Sequence, residues 1–327
     1  MTAPLLELRH LSAYYYTPNG FFKSPKPLQA LFNVDLSLFP RQIVAVVGES
    51  GCGKSTLGRA IVGLVDRVEG TLLYDGNPFK PEEMIAKGSA IQIIFQDPYS
   101  SLNPRLTVGK TLQEVLQFHH SDKIPPEEIT RLLAAVQLPP VVSQKYPYEL
   151  SGGQRQRVCI ARALAVSPKV LICDEIVSAL DVSVQGRILN LLKTLNQEQN
   201  LALLFTTHDL RLVRSFAHYV VVMYLGTIVE AADTAKLFRD PQHPYTQALL
   251  SSIPGSTGPR IRLPQEIPHI QQLPTGCRFH PRCPIWNDGR EQLTYSCAET
   301  EPKDTVLDDS HVVQCHAVSG GDEVDAK

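Results

Sequence analysis

Three short strings hold most of the chemistry legible in this sequence. Gly48-Glu49-Ser50-Gly51-Cys52-Gly53-Lys54-Ser55 fits the pattern G-x-x-x-x-G-K-[ST]. Backbone amides in such a loop point inward and cradle phosphate oxygens. Gly48, Gly51 and Gly53 permit that close approach. Lys54 is set to reach the β- and γ-phosphates as a point charge, and Ser55 to place its hydroxyl on Mg²⁺. Glu49, Ser50, Cys52 and Thr56 complete the candidate nucleotide-binding run. Downstream, the apolar run Val170 to Cys173 ends in Asp174-Glu175. A carboxylate at the end of a buried strand can hold Mg²⁺ directly or through water. Glu175 points to the other face and is the candidate general base for an attacking water. A chance Gly-rich turn or a solvated strand end would explain either string alone. Their order, with an apolar strand before the glycines and a helix after them, favours the nucleotide reading. The third string, Leu150-Ser151-Gly152-Gly153-Gln154, lies between the other two.

Taken together, the strings resemble the ATP-binding subunits of ABC transporters, and the resemblance implies ATP and Mg²⁺ as cofactors. Gln96, in Ile-Ile-Phe-Gln96-Asp-Pro, matches the family's Q-loop glutamine, which senses the γ-phosphate and Mg²⁺ and contacts the membrane subunits. Ser178-Ala-Leu-Asp181 matches the D-loop, and His208 matches the switch histidine on the γ-phosphate. Tyr15 matches the aromatic that stacks on adenine, with Tyr14 and Tyr16 as adjacent candidates. The implied catalytic set is Glu175, His208, Gln96 and Lys54, with magnesium held through Ser55, Gln96 and Asp174. Ser151, Gly152, Gly153, Gln154 and Asp181 are implied to act in trans, on ATP bound to the opposite subunit, so a dimer is expected. One departure stands out. The family usually has proline after the catalytic glutamate, and this chain has Ile176. The glutamate is present, so hydrolysis is expected to survive.

The elements that must position these residues follow from pattern. Ile43 to Val47 is β-branched and apolar and predicts a buried strand, with a helix over Lys54 to Leu64. Strands are also predicted at Leu5 to Leu11, Leu36 to Phe39, Ile91 to Phe95, Val170 to Cys173, Leu203 to Thr206 and Tyr219 to Tyr224. A loop is expected from Thr17 to Pro27. The stretch Asp97 to Val166 reads as mostly helical, broken at Pro125-Pro126 and Pro139-Pro140, with a helix over Gln154 to Val166. Ile188, Leu191, Leu192 and Leu195 recur at amphipathic spacing. Alternating strands and helices argue an α/β fold with a mainly parallel core sheet covered on both faces. The resemblance specifies a P-loop ABC ATPase with an antiparallel β subdomain and a helical subdomain at about 97–166. The ATPase domain is expected at 1–240 and a C-terminal extension at 241–327.

The extension narrows the resemblance. Seven prolines fall between Ile253 and Pro284, which suggests a linker into a small loop-rich module. Pro241 to Leu250, Thr275 to Pro284 and Ile94 to Arg105 resemble the ATPases of dipeptide, oligopeptide and nickel importers. Those importers join two membrane permease subunits, two usually different ATPase subunits and a solute-binding protein. The expected cargo is di- or oligopeptides, with nickel, a metallophore or an opine as alternatives. The segment Arg157 to Val166 is similar to nickel-type members. Cys277, Cys283, Cys297 and Cys315 are spaced C-x5-C-x13-C-x17-C. Four thiolates can hold a [4Fe–4S] cluster or zinc, or the thiols can be small buried apolar groups. The C-x-x-C knuckle common in zinc sites is absent, and some relatives with this motif carry a [4Fe–4S] cluster. His280, His311 and His316 are near in sequence.

Composition bounds the rest. The 327 residues allow one large domain or two modest ones. A net charge of -2 provides no basic field, so no nucleic-acid partner is expected. The longest apolar runs, such as Tyr219 to Leu225, fall far short of the ~18 residues of a membrane span. Met1 to His10 lacks a basic segment followed by an apolar one, so no secretory signal is read. The expected location is peripheral, on the cytoplasmic face of the inner or plasma membrane. A soluble ABC ATPase acting on nucleic acid or ribosomes usually has coiled-coil insertions or two fused cassettes, and this chain has neither. A non-hydrolysing regulatory partner is opposed by intact Lys54, Asp174, Glu175 and His208.

Overall fold

Ile43–Val47, Val170–Asp174 and Ala202–Thr207 are buried at every position. Parallel strands covered on both faces read as continuous apolar runs, and these three form the centre of the main sheet. The computed structural model describes residues 3–17, 26–82, 90–119, 125–256, 258–264, 266–287 and 291–318. Among them the strands are β1 (Leu6–Thr17), β2 (Lys26–Leu38), β3 (Ile43–Val47), β4 (Arg67–Tyr74), β5 (Asn77–Pro78), β6 (Ile91–Ile94), β7 (Val170–Asp174), β8 (Ala202–Thr207), β9 (Tyr219–Tyr224), β10 (Thr227–Asp233), β11 (Asp304–Asp308) and β12 (His311–Gln314).

The main sheet has the order β11-β12-β10-β9-β3-β8-β7-β6. The five strands from β9 to β6 are parallel, and β10, β12 and β11 continue the sheet antiparallel. Side chains alternate across it. Val44 and Val46 pack with Leu57, Ala60 and Ile61 of the helix Lys54–Ile61. On the opposite face, Leu171, Cys173, Leu203 and Phe205 pack with Val158 and with Ile188, Leu191, Leu192 and Leu195. The four leucine and isoleucine positions predicted at amphipathic spacing are therefore the buried stripe of the helix Val182–Glu198.

A second, antiparallel sheet has the order β2-β1-β4-β5. Its first two strands are longer than the sequence suggests. The ladder shifts register near His10, whose φ is 52°, and Asn33 opposite has φ 48°. Such bulges break the period-2 pattern, so only one apolar half of each strand is legible. Residues 18–25 of the expected loop lie outside the described residues. β4 is half-exposed or exposed at most positions, which hides it from a hydrophobic reading.

The helical region holds Pro98–Ser101, Val108–His119, Pro126–Ala135 and Gly152–Leu164, joined by 3₁₀ turns at Pro140–Gln144 and Pro147–Glu149. Pro126 opens its helix, with Glu127 and Glu128 in the first turn near the positive end of the dipole.

The C-terminal segment, read from its prolines as a linker into a small loop-rich module, packs on the main sheet. β12 pairs with β10, joining Glu230 to Val313, Ala231 to Val312 and Ala232 to His311. Tyr245, Phe279, Cys277 and Cys283 share one core with Ala45, Val47, Val222 and Tyr224 of the sheet. Glu230 is fully buried and accepts from the amides of Gln242 (2.7 Å) and His243 (3.0 Å) and pairs with His311 Nε2 (2.8 Å). A buried carboxylate is tolerable only when its lone pairs are satisfied in this way.

Candidate functional site

Adjacent parallel strands end on the same edge of a sheet, and in open α/β sheets ligands bind beyond the carboxyl ends. The glycine-rich loop follows β3, Gln96 follows β6, Asp174 ends β7 and His208 follows β8. The fold thus gathers onto one edge the residues singled out in four distant segments.

Ser55 donates to Asp174 Oδ1 at 2.8 Å. Lys54 Nζ donates to the carbonyls of Gly48 (2.9 Å) and Glu49 (3.0 Å) and lies 3.6 Å from Glu175 Oε1. His208 Nδ1 is 3.6 Å from Glu175 Oε2, and Gln96 Nε2 donates to the same oxygen at 3.3 Å. Gln96 also reaches Ser178 Oγ at 3.4 Å. Lys54 is 4% exposed, which keeps its ammonium at the loop and out of bulk screening. The loop requires its first glycine, since a Cβ on Gly48 would fall 2.3 Å from the Met223 carbonyl oxygen.

Glu175 adopts φ 47°, unusual for a residue with a Cβ. Its amide donates to Thr206 Oγ1 at 3.0 Å, and that hydroxyl donates to Asp174 Oδ1 at 2.9 Å. Thr206 was not among the expected site residues. The available signal was its position two residues before His208, on the strand face that period 2 assigns to the same side. Ile176 points into the core at 2% exposure, alongside Leu171, Cys173 and Val177.

Tyr14 donates to Glu69 at 2.9 Å and its ring lies under Arg67, and the Tyr16 amide donates to Asp66 Oδ2 at 2.7 Å. Tyr15 alternates to the other face of β1.

Ser151 caps the helix Gly152–Leu164, accepting from the Gln154 amide at 3.3 Å, and Gln154 Oε1 accepts from the Ser151 amide at 3.0 Å. A Cβ on Gly153 would meet Val184 at 2.5 Å. Arg155 holds this turn from below, donating to Leu150 O at 2.6 Å and stacking 3.7 Å above the ring of Tyr99, just past Gln96. Asp181 is exposed at the start of the helix Val182–Glu198. Among the described residues, Ser151, Gln154 and Asp181 make no hydrogen bond to the glycine loop or to Asp174 and Glu175 of the same chain.

The donor set of Ser55, Asp174 and Gln96 is all oxygen apart from the amide nitrogen. It suits Mg²⁺, which takes few protein ligands and keeps waters and phosphate oxygens. The four extension cysteines line one cavity with His280 and His316. In donor number and type they suit an iron–sulfur cluster. Among the described residues no group of three or more His, Cys, Asp or Glu is arranged to hold a metal ion. Burial pushes the Cys277 thiol up to about 12 and the Cys297 thiol up to about 11.

A family model described as "ABC transporter" matches residues 31–178, and one described as "Oligopeptide/dipeptide transporter, C-terminal region" matches residues 229–289. The chain is 43% identical over 326 residues to the probable peptide ABC transporter ATP-binding protein y4tS of Sinorhizobium fredii, covering 97% of this chain and 90% of the relative. It is 43% identical to the oligopeptide transport ATP-binding protein OppF of Escherichia coli K12, covering 95% of each. It is 40% identical to the dipeptide transport ATP-binding protein DppF of Haemophilus influenzae, covering 95% and 96%. Among solved structures, the ATP-binding cassette MJ0796, a dimer in a post-hydrolysis state with ADP and Pi, superposes with TM-score 0.61 at 28% identity. The match covers 70% of this chain and 98% of the cassette. CbiO1 of Clostridium perfringens gives TM-score 0.60 at 26% identity over 72% and 91%.

Proposed function

This chain belongs to the ABC transporter ATPases, in the branch with the oligopeptide and dipeptide transporter C-terminal region, and we propose that it hydrolyses ATP to energise import of short peptides. The reading of the catalytic residues rests on one observation above all. Lys54, Gln96 and His208, from three separate strand ends, converge on the carboxylate of Glu175.

In this reading the amides of the glycine loop and Lys54 Nζ bind the β- and γ-phosphates, and Tyr15 stacks on the adenine. Mg²⁺, held by Ser55, Asp174 and Gln96, would neutralise charge on the phosphate oxygens. Gln96 and Glu175 orient a water in line with the γ-phosphorus. Glu175 takes the proton as the water oxygen attacks, the bond to the ADP oxygen breaks, and His208 donates to the departing phosphate. Ser151 and Gly153 would close on the ATP of a second, homologous subunit, so two subunits share two sites. The partner ATPase is proposed to be a different chain. The other proposed partners are two membrane permeases and a solute-binding protein. No helix among the described residues is long and apolar enough to cross a membrane, so spanning falls to those partners.

For Cys277, Cys283, Cys297 and Cys315 a [4Fe–4S] cluster is proposed on donor number alone, and no step of hydrolysis is routed through it. Anaerobically purified protein lacking iron and acid-labile sulfide would end that part of the proposal.

The whole reading is tested by recovering the chain from its native membranes and assaying ATPase activity with and without peptide-loaded binding protein. Stimulation by loaded binding protein, abolished by Glu175→Gln with ATP still bound, is the expected outcome. Recovery with ribosomes or nucleic acid and without permeases would overturn it.

A further inference from the structure

Glu49 is the second residue of the glycine loop, yet its amide and its carboxylate are engaged by the C-terminal extension. Its amide donates to Tyr245 Oη at 2.9 Å. Its carboxylate accepts a two-pronged contact from Arg282, Nη1 to Oε2 at 2.7 Å and Nη2 to Oε1 at 3.2 Å. The two residues of this pair are 233 positions apart in sequence. The Arg282 side chain is only 6% exposed and that of Glu49 31%, so the pair is better shielded than a surface ion pair and has the fork geometry that makes Arg–carboxylate contacts strong.

Both anchors are themselves fixed. Tyr245 is fully buried and packs edge-on against Tyr224, with ring centroids 4.8 Å apart. Its own amide donates to His243 Nδ1, and the His243 amide donates to the buried Glu230. Arg282 closes the 3₁₀ turn His280–Arg282, directly before Cys283. Within the loop, Lys54 Nζ ties the carbonyls of Gly48 and Glu49 and the Cys52 amide donates to the Glu49 carbonyl, which leaves the Glu49 amide and carboxylate to be held from outside. Gly48, Gly51 and Gly53 all have positive φ, which glycine enters without steric cost, but fixing a glycine in one conformation costs more entropy than fixing any other residue. Fixing Glu49 from outside lets the loop amides be pre-arranged for phosphate, and pre-arrangement is recovered as affinity. Arg282 also neutralises a carboxylate that would otherwise sit unpaired in a loop that receives a polyanion.

We propose that Arg282 and Tyr245 are positioning residues of the nucleotide site: the extension braces the glycine loop through Glu49 and thereby sets ATP affinity. The inference rests on the nucleotide-site reading above, and it gives the peptide-transporter extension a task in the ATPase cycle itself.

The test uses the full chain for equilibrium binding of a fluorescent ATP analogue, and the assembled transporter for KM and kcat. Arg282→Gln is expected to raise Kd and KM for ATP about tenfold, the loss of one charge-assisted contact, while kcat at saturating ATP stays within about twofold. In the double variant Glu49→Gln/Arg282→Gln, affinity should recover part of the way, because the unpaired carboxylate is gone. A purely structural role would lower the melting temperature and leave Kd of the folded protein unmoved. If Arg282→Gln does not fold, Tyr245→Phe removes a single oxygen from an intact ring and should raise Kd about threefold. Wild-type Kd and KM in the folded variant overturn the brace. Failure of the wild-type chain to bind ATP overturns the nucleotide-site reading instead, and the two failures are distinct.

Discussion

Thr206 Oγ1 accepts from the Glu175 amide at 3.0 Å and donates to Asp174 Oδ1 at 2.9 Å, so one buried hydroxyl fixes both carboxylate residues of the site. Thr206→Val keeps the shape and removes both contacts. It leaves a buried amide unpaired, at a cost of about 1–3 kcal/mol, and frees Glu175 from its left-handed backbone. ATPase turnover should fall about ten- to a hundredfold with ATP binding retained. Turnover equal to wild type would show that the hydroxyl does not position Glu175.

Ile176 occupies the position where the family usually has proline, and its side chain is core rather than site. Ile176→Ala should therefore lower stability by about 2–5 kcal/mol through the cavity it leaves. The kcat of the protein that remains folded should change little. Chemical denaturation paired with steady-state ATPase assays separates the two effects, and a large kcat loss at unchanged stability would contradict this assignment.

His218 Nδ1 accepts from the Ile43 amide at 2.9 Å, at the start of the central strand β3. Burial, aided by the charge of Lys193, holds this imidazole below its ordinary 6.5. The unfolded chain therefore takes up the proton first as pH falls. The stabilisation is complete above 6.5 and drains away as pH drops towards the lowered folded value. His218→Asn, which keeps an acceptor and removes the titration, should flatten the dependence of melting temperature on pH between about 7 and 5. An unchanged slope would remove His218 from the acid response.

Cys52 lies inside the glycine loop, and its thiol is 3% exposed. Burial pushes its pKa up, and the nearby Lys54 ammonium only partly opposes this. The reactive form is the thiolate, and each unit of upward shift leaves about tenfold less of it. Iodoacetamide at neutral pH should modify Cys52 slowly in the native chain and quickly in urea, as read by mass spectrometry. Rapid native labelling would mean that the loop opens far more often than its packing suggests.

Much of the candidate site was legible because each residue sits at a strand-to-loop junction where chemistry restricts its type. Lys54, Ser55, Asp174 and Glu175 could be picked out one string at a time, His208 and Gln96 came only with the family resemblance, and the α/β core followed from apolar runs such as Ile43–Val47. What escaped depends on distant partners. Thr206 is an ordinary strand residue until β7 is set beside β8. Arg282 is one arginine in a proline-rich tail until the fold brings it to Glu49. The outer halves of β1 and β2 were hidden by bulges at His10 and Asn33, and β4 by its exposure.

The pairing of β12 with β10 has a consequence for biosynthesis. Among the described residues, the hydrogen-bonding rim of β10 that faces away from β9 is covered by residues 311–313. During synthesis that rim must wait, open, while some eighty intervening residues are made. An uncovered strand edge is a template for pairing with other chains. A chaperone acting on the nascent subunit would have its reason to bind there. A product terminated after residue 240 should be retained in aggregates rather than delivered as a smaller working cassette.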